Sequence, residues 1–320
     1  MTQKAGSRLP FFIFYSFMLA TIGDMKTKLG RFSRLVWITC AGVAAFIGAY
    51  FIFTLGRPAP VPVKRELFEG VTYQRVIHYL PHSLIAHVLV IDTKNTKGLQ
   101  FIVTPPDEVE GGTVKARTTS QFLQDFDLQI AVNGDGFFPW WSRSPVDYYP
   151  HVGDPVTPNG FAASYGKIYT DGKQDIRPEP TLYMTRRGEL VFNRAPNKVF
   201  HALSGDRMLI ISGEVVGDLN DKALHPRTAI GLNKNGRWLY IIVVDGRQPF
   251  YSQGATLKEL ARLLKNFGAF NAMSLDGGGS STMVIEGEHG RPVILNSPID
   301  NYIPGRERPV ANHFGIYIKR

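Results

Sequence analysis

The sequence predicts an α+β fold, mixed, with a mostly β core and few helices, preceded by one N-terminal transmembrane helix. Three observations predict it. Short apolar or alternating runs recur between breaks, and the 320 residues include 32 glycines and 21 prolines. One stretch after residue 60, Thr256 to Phe267, is fully specified as a helix. Leu35 to Leu55 is apolar and uncharged.

The run Leu35 to Leu55 has 21 residues, matching the roughly 20 that cross a bilayer as a helix. Lys26, Lys28, Arg31 and Arg34 precede it. That places the amino end in the cytoplasm and the chain beyond Arg57 outside, in the periplasm or at the cell surface. A cleaved signal peptide has a shorter apolar core, about 7–15 residues, so an uncleaved anchor is expected over 35–55. Residues 1–34 form the cytoplasmic segment. Within it a shorter apolar patch, Leu9 to Ile22, ends at Asp24. Met25 then opens like an ordinary start, so 1–24 read as an over-extended beginning. Residues 56–66 form a proline-spaced, semi-rigid linker, and one domain is expected over 67–320.

The formal net charge is +9, and residues 1–34 hold six of the 36 basic residues and one acid. The remaining excess is mild and shows no basic stripe with interleaved aromatics, which argues against nucleic acid as a partner. A single cysteine, Cys40, excludes an intramolecular disulfide, so stability must come from packing.

Strands are expected at Val71 to His78, Ser83 to Ile91, Leu99 to Val103 and Leu128 to Val132. Further strand candidates are Lys167–Thr170, Thr181–Thr185 and Met208–Ile211. Thr118 to Phe126 is a short helix candidate, with Phe122 and Phe126 four apart. Ala229–Leu232 and Trp238–Val244 flank the turn Asn233-Lys-Asn-Gly236 as a hairpin. Thr256 and Glu259 make a capping box. Leu257, Leu260, Ala261, Leu264 and Phe267 share one face, and Gly268 stops the helix. A last strand covers His313 to Ile318.

Three apolar strands end in polar turns. The first leads into Asn133-Gly-Asp-Gly-Phe-Phe138, followed by Trp140 and Trp141, which could floor a sugar site or join the core. The second ends at Asp245-Gly-Arg247. The third is Asn271-Ala-Met-Ser-Leu-Asp276, followed by Gly277, Gly278, Gly279, Ser280, Ser281 and Thr282. Glycines allow sharp turns and close approach to a ligand, and inward-pointing amides form an anion nest. Asn-Gly and Asp-Gly are also ordinary turn signatures. A helical crossover between the second and third strands favours parallel neighbours. Asp245 and Asp276 would then end on one side of the sheet, where ligands bind. Known motifs are excluded: no Lys follows the glycines as in a P-loop, and Thr282 stands where a nucleophile elbow needs glycine. The eight histidines show no zinc-like spacing and read as structural.

This ordered set, with Arg227-Thr-Ala-Ile-Gly231 and Arg306-Glu-Arg-Pro-Val-Ala-Asn312, resembles the phosphodiester glycosidase family from about Val71 to the end. The resemblance implies hydrolysis of a sugar 1-phosphodiester in envelope or exopolysaccharide metabolism. It implies Asp276, Asp245 and Glu307 as catalytic carboxylates. Arg227, Arg247, the glycine loop and Ser280 to Thr282 would grip phosphate, helped by Arg306 and Asn312. Asn133 and Asp135 would hold sugar hydroxyls. A hard cation, Ca²⁺ or Mg²⁺, would sit on Asp135 and Asp276. Asp135 departs from the pattern, which leads one to expect a small residue there, and so adds an acid. Two other readings share the same cleft: an envelope glycan-binding protein and a phosphodiesterase cleaving at phosphorus. The lack of cysteine pairs and of Asn-x-Ser/Thr sequons fits a bacterial envelope protein.

Overall fold

The computed structural model describes residues 30, 33–50, 52, 57–172 and 179–319. The segment 1–24, its apolar patch and the end of the apolar run at 53–55 lie outside the described residues. Two compact units are present, divided between Pro58 and Ala59. In the first, Ser33–Tyr50 is an 18-residue helix of mean hydropathy 1.4, long and apolar enough to cross a membrane.

The second unit is mostly β. Its largest sheet has eight strands, in the order Val63–Phe68, Val71–His78, Leu84–Asp92, Trp238–Val244, Arg227–Leu232, Asn271–Ser274, Arg207–Ile211 and Glu214–Val215. The first of these begins within the stretch read as linker, at Val63, and runs on to Phe68. Its extended backbone pairs antiparallel with Val71–His78. A five-stranded sheet runs Pro292–Ile294, Met283–Glu286, Ile130–Asn133, His313–Tyr317, Gln100–Val103. A second five-stranded sheet is built from the middle of the chain, with His201–Ser204 at its centre.

Period-two alternation explains the layering. Leu239, Ile241 and Val243 join the core shared by the three sheets, together with Ile130, Val132, Phe314, Leu182 and Leu203. Tyr240, Ile242 and Val244 point the other way, onto Leu257, Leu260, Ala261 and Leu264 of the helix Leu257–Phe267. That helix forms as its caps require: Thr256 and Glu259 close the capping box and Gly268 takes the left-handed conformation, φ 99°. The shorter helix Thr119–Asp125 has the same arrangement at Thr118 and Gln121. Its Phe122 and Leu123 cover Ala131 and Val284 on the outer face of the five-stranded sheet.

The expected adjacency of the strands before Asp245 and Asp276 does not occur. Arg227–Leu232 lies between them and pairs antiparallel with both. The tight turn at 233–236 makes those first two strands a hairpin, so the helical crossover has to step over one strand. Trp238–Val244 and Asn271–Ser274 still run in the same direction, and Asp245 and Asp276 leave the sheet at the same end.

Candidate active site

At that end the chain brings two of the polar turns together. Asp276 N–H donates to Gly134 O at 3.0 Å. Asn133 Nδ2 donates to Asp276 O at 2.8 Å. Asn133 Oδ1 accepts from Thr228 Oγ1 at 2.7 Å and from Thr282 N–H at 3.2 Å. Asn133 is therefore an internal brace, fully buried, that ties the two sheets. Asn312, also fully buried, holds the next turn by accepting from Asp135 N–H at 2.8 Å.

The turns border a cleft of about 640 Å³, lined among others by Asp135, Glu179, Asp206, Arg227, Arg247, Asp276, Gly277 to Gly279 and Arg308. The volume suits a sugar-sized ligand, since small-molecule sites run about 300–1,000 Å³. Asp276 is fixed by two donors: Gly277 N–H to Oδ1 at 2.9 Å and Ser280 Oγ to Oδ2 at 2.6 Å. Burial raises its carboxyl above the ordinary range, while the Ser280 hydroxyl, Arg308 and the Gly277 amide pull the other way.

The glycine triplet serves close packing of cations. A Cβ on Gly278, whose φ is 63°, would sit 3.0 Å from Arg247 Nη2. A Cβ on Gly279 would run into the Arg308 guanidinium. The expected amide nest is not available in full. Gly277 N–H serves Asp276, Gly278 N–H serves Pro226 O, and the amides of Ser280 and Ser281 close the turn onto Gly277 and Gly278. The cationic groups that line the cleft are guanidinium groups. Arg227 donates to the carbonyls of Ala255 and Ala223. Arg247 lies over the Tyr302 ring at 5.9 Å. Burial lowers the pKa of both arginines, yet a guanidinium stays charged at neutral pH. Arg308 pairs with Asp300 at 2.7 Å and lies 4.8 Å over the Trp140 ring.

Asp245, Glu307, Arg306, Ser281 and Thr282 do not line the cleft. Asp245 is buried; its Oδ2 meets His87 Nε2 at 3.0 Å and its Oδ1 accepts from Ser297 N–H at 2.7 Å. Glu307 accepts from Ser120 N–H at 3.0 Å, at the start of the helix Thr119–Asp125. Arg306 donates to Pro145 O and stacks on Tyr148. Ser281 and Thr282 are 1% exposed. With Ser280, equally buried and also outside the lining, they sit in the seam before the strand Met283–Glu286, where Thr282 N–H donates to Asn133 Oδ1 and Ser281 O accepts from Asn296 Nδ2. Conversely, Glu179, Asp206 and His225 line the cleft without having been expected, while Arg308, a candidate for gripping an anion, does line it. Glu179 follows a stretch with no periodicity. His225, read as structural, has its pKa lowered by burial and by Arg227 and Arg247.

The donor set does not fit a hard cation. Among the described residues no three His, Cys, Asp or Glu side chains converge as a metal site. Asp135 spends its oxygens on the amides of Gly136 and Gly160, at 2.7 and 2.8 Å.

The family model described as phosphodiester glycosidase (NAGPA) matches residues 126–317, more than half of the chain. The chain belongs to the phosphodiester glycosidase family. The matched region holds every cleft residue named above. Among solved structures, the catalytic domain of zebrafish N-acetylglucosamine-1-phosphodiester alpha-N-acetylglucosaminidase, auto-inhibited by its pro-peptide, is similar with a TM-score of 0.56. The identity is 20%, over 82% of this chain and 85% of that one. A hypothetical protein from Synechocystis is similar with a TM-score of 0.52 and 14% identity, over 82% of this chain and 64% of that one. At these identities the likeness speaks for the fold. The SPbeta prophage-derived uncharacterized protein YomE of Bacillus subtilis (strain 168) is 42% identical over 99 residues, 31% of this chain and 13% of that protein.

Proposed function

We propose that this glycosidase-family domain hydrolyses a sugar 1-phosphodiester at the anomeric carbon, in envelope or exopolysaccharide metabolism. The observation that carries the proposal is the pairing of one oriented carboxylate, Asp276, with the guanidinium groups of Arg227, Arg247 and Arg308 around one cleft. Cleavage at the anomeric carbon passes through an oxocarbenium-like transition state. A phosphate leaving group departs as an anion and needs little protonation. Asp276, held by Ser280 and Gly277, supplies negative charge to the cationic ring. The guanidinium groups stabilise the departing phosphate. Trp140 offers the sugar or its aglycone an apolar face. The four basic residues before the apolar helix favour a domain outside the cytoplasm, tethered near its glycan.

The test uses the full chain in detergent micelles with alkyl-phospho-N-acetylglucosamine in ¹⁸O-water. Heavy oxygen in the released sugar is the expected result. Heavy oxygen in the phosphate would make the reaction a phosphodiesterase. A folded protein idle across a panel of sugar phosphodiesters would point to glycan binding instead.

A further inference from the structure

Two carboxyl groups meet on the wall of the cleft. Asp135 and Glu179 crowd the same space above Gly160, where any Cβ would collide with Glu179 Oε2 and lie 2.8 Å from Asp135 Oδ2. Neither carboxylate carries a donor of its own, and two like charges this close disfavour full ionisation of both. The backbone supports one charge for the pair rather than two. Gly136 N–H and Gly160 N–H each donate to Asp135, one to each oxygen. The two members differ in access. Asp135 is 2% exposed, whereas Glu179 is only partly buried and lines the cleft beside Asp276.

We propose that Asp135 and Glu179 share one proton and that Glu179, backed by Asp135, takes the proton of the water that attacks the anomeric carbon. This rests on the functional reading above. The water oxygen forms its bond to the anomeric carbon as the bond from that carbon to the phosphate oxygen breaks. The bonding pair leaves with the phosphate, which departs as a monoester with one more negative charge. The water proton goes to Glu179, so the pair passes from one shared proton to two and later returns the extra proton to solvent.

Burial raises the carboxyl pKa of both Asp276 and Asp135, and the two differ in their neighbours: the Ser280 hydroxyl and Arg308 for Asp276, a second carboxyl group for Asp135. Asp276 has donors on both oxygens and Arg308 nearby. Asp135 has its carboxyl pushed up to about 7 by burial, with Asp276 adding to the shift and the Gly160 and Gly136 amides opposing it. The charged and titratable groups around the pair are Asp276 and Tyr169, with Asp206, His225, Arg227, Arg247 and Arg308 also in the cleft.

The experiment uses the full chain in detergent. Glu179→Ala should lower kcat by roughly 10²- to 10⁴-fold, as expected for a lost general base. Azide should then restore turnover and give the glycosyl azide, because an anionic nucleophile needs no base. Asp135→Asn should move the acid limb of the kcat/KM profile to lower pH. Two results would overturn the catalytic role: Glu179→Ala within threefold of wild type, or a loss that azide does not rescue with the Asp135→Asn limb unmoved. An infrared difference titration of wild type against Asp135→Asn reports the shared proton separately. A protonated carboxyl surviving to near-neutral pH supports it, and an ordinary carboxylate range refutes it whatever the activity. If wild type cleaves no sugar phosphodiester, the catalytic half falls with the functional reading, and the infrared result alone decides the shared proton.

Discussion

Asp276 Oδ2 accepts a 2.6 Å hydrogen bond from the Ser280 hydroxyl, across the glycine triplet that separates them. The turn thus folds back on its own carboxylate and fixes its direction. Replacing Asp276 by Asn keeps the shape and removes the charge. We expect kcat to fall at least about 10³-fold, as for loss of a principal transition-state charge, with KM little changed. Steady-state kinetics on a sugar phosphodiester check this. A variant retaining a tenth of wild-type kcat would remove Asp276 from the reaction.

Ser280→Ala tests the same contact more gently. The Ser280 hydroxyl holds the Asp276 pKa down against burial. Without it the pKa rises, so less carboxylate is present at a given acidic pH. The acid limb of the rate profile should shift to higher pH, with kcat near neutral pH reduced roughly tenfold, about the 1.4 kcal/mol of one net hydrogen bond. An unmoved limb would mean that the hydroxyl only shapes the loop.

Gly278 tests the cation packing. Its φ of 63° would strain any side chain, and a Cβ 3.0 Å from Arg247 Nη2 would push that guanidinium aside. Gly278→Ala should destabilise the protein by about 1 kcal/mol through backbone strain. By displacing Arg247 it should also raise KM for the phosphodiester about tenfold. Arg247→Ala should raise KM similarly without the loss of stability. Equal KM for wild type and both variants would take Arg247 out of phosphate binding.

Much of the fold was legible because it is written in local chemistry. The helix Leu257–Phe267 was readable from Thr256, Glu259 and Gly268, since capping depends on neighbours in sequence. The strand Trp238–Val244 was readable because both its faces are apolar. Sheet order was not readable: the pairing of Arg227–Leu232 with Asn271–Ser274 joins segments some forty residues apart, and alternation does not encode partners. In the site, Asp276 and Arg247 were legible beside glycines that signal close approach. Glu179 was not, because its place beside Asp135 above Gly160 depends on packing between distant segments. Asp245 shows the converse. Its turn has the same look as that of Asp276, but the neighbouring strand supplies His87 and turns the carboxylate inward.

Asp135 should leave a mark on stability as well as on rate. Its pKa is about 7 in the folded protein, raised chiefly by burial, against an ordinary 3.8. A raised folded-state pKa means that the folded protein holds the proton more tightly than the unfolded chain. The stabilisation is complete below about pH 4 and is lost as pH rises to about 7. Asparagine carries no such dependence. The melting temperature of Asp135→Asn relative to wild type should therefore rise across that window and level off above it. A difference that stays flat with pH would show that Asp135 ionises normally.

Asp245 provides the last prediction. Tyr73 Oη lies 2.8 Å from His87 Nδ1, and His87 Nε2 lies 3.0 Å from Asp245 Oδ2. A tyrosine hydroxyl donating to the ring, and the ring donating to the carboxylate, satisfies every member of this chain. The other Asp245 oxygen holds Ser297 N–H and Asn296 Nδ2, and Asn296 in turn accepts from Met283 N–H. The carboxylate thereby ties the eight-stranded sheet to the strand that follows the glycine loop. Asp245→Ala strands several buried donors at once. It should destabilise the protein by about 3–5 kcal/mol, since each stranded buried donor costs about 1–3 kcal/mol, and lower the melting temperature by roughly 10 °C. Tyr73→Phe removes one neutral bond and should cost about 1 kcal/mol. Neither change touches the cleft lining, so kcat of the folded Asp245 variant should stay within about tenfold of wild type. Asp276→Asn should show the reverse, little loss of stability and a large loss of rate. Thermal unfolding and kinetics on the same preparations separate the two carboxylates. A large kcat loss in Asp245→Ala at unchanged melting temperature would return Asp245 to the chemistry.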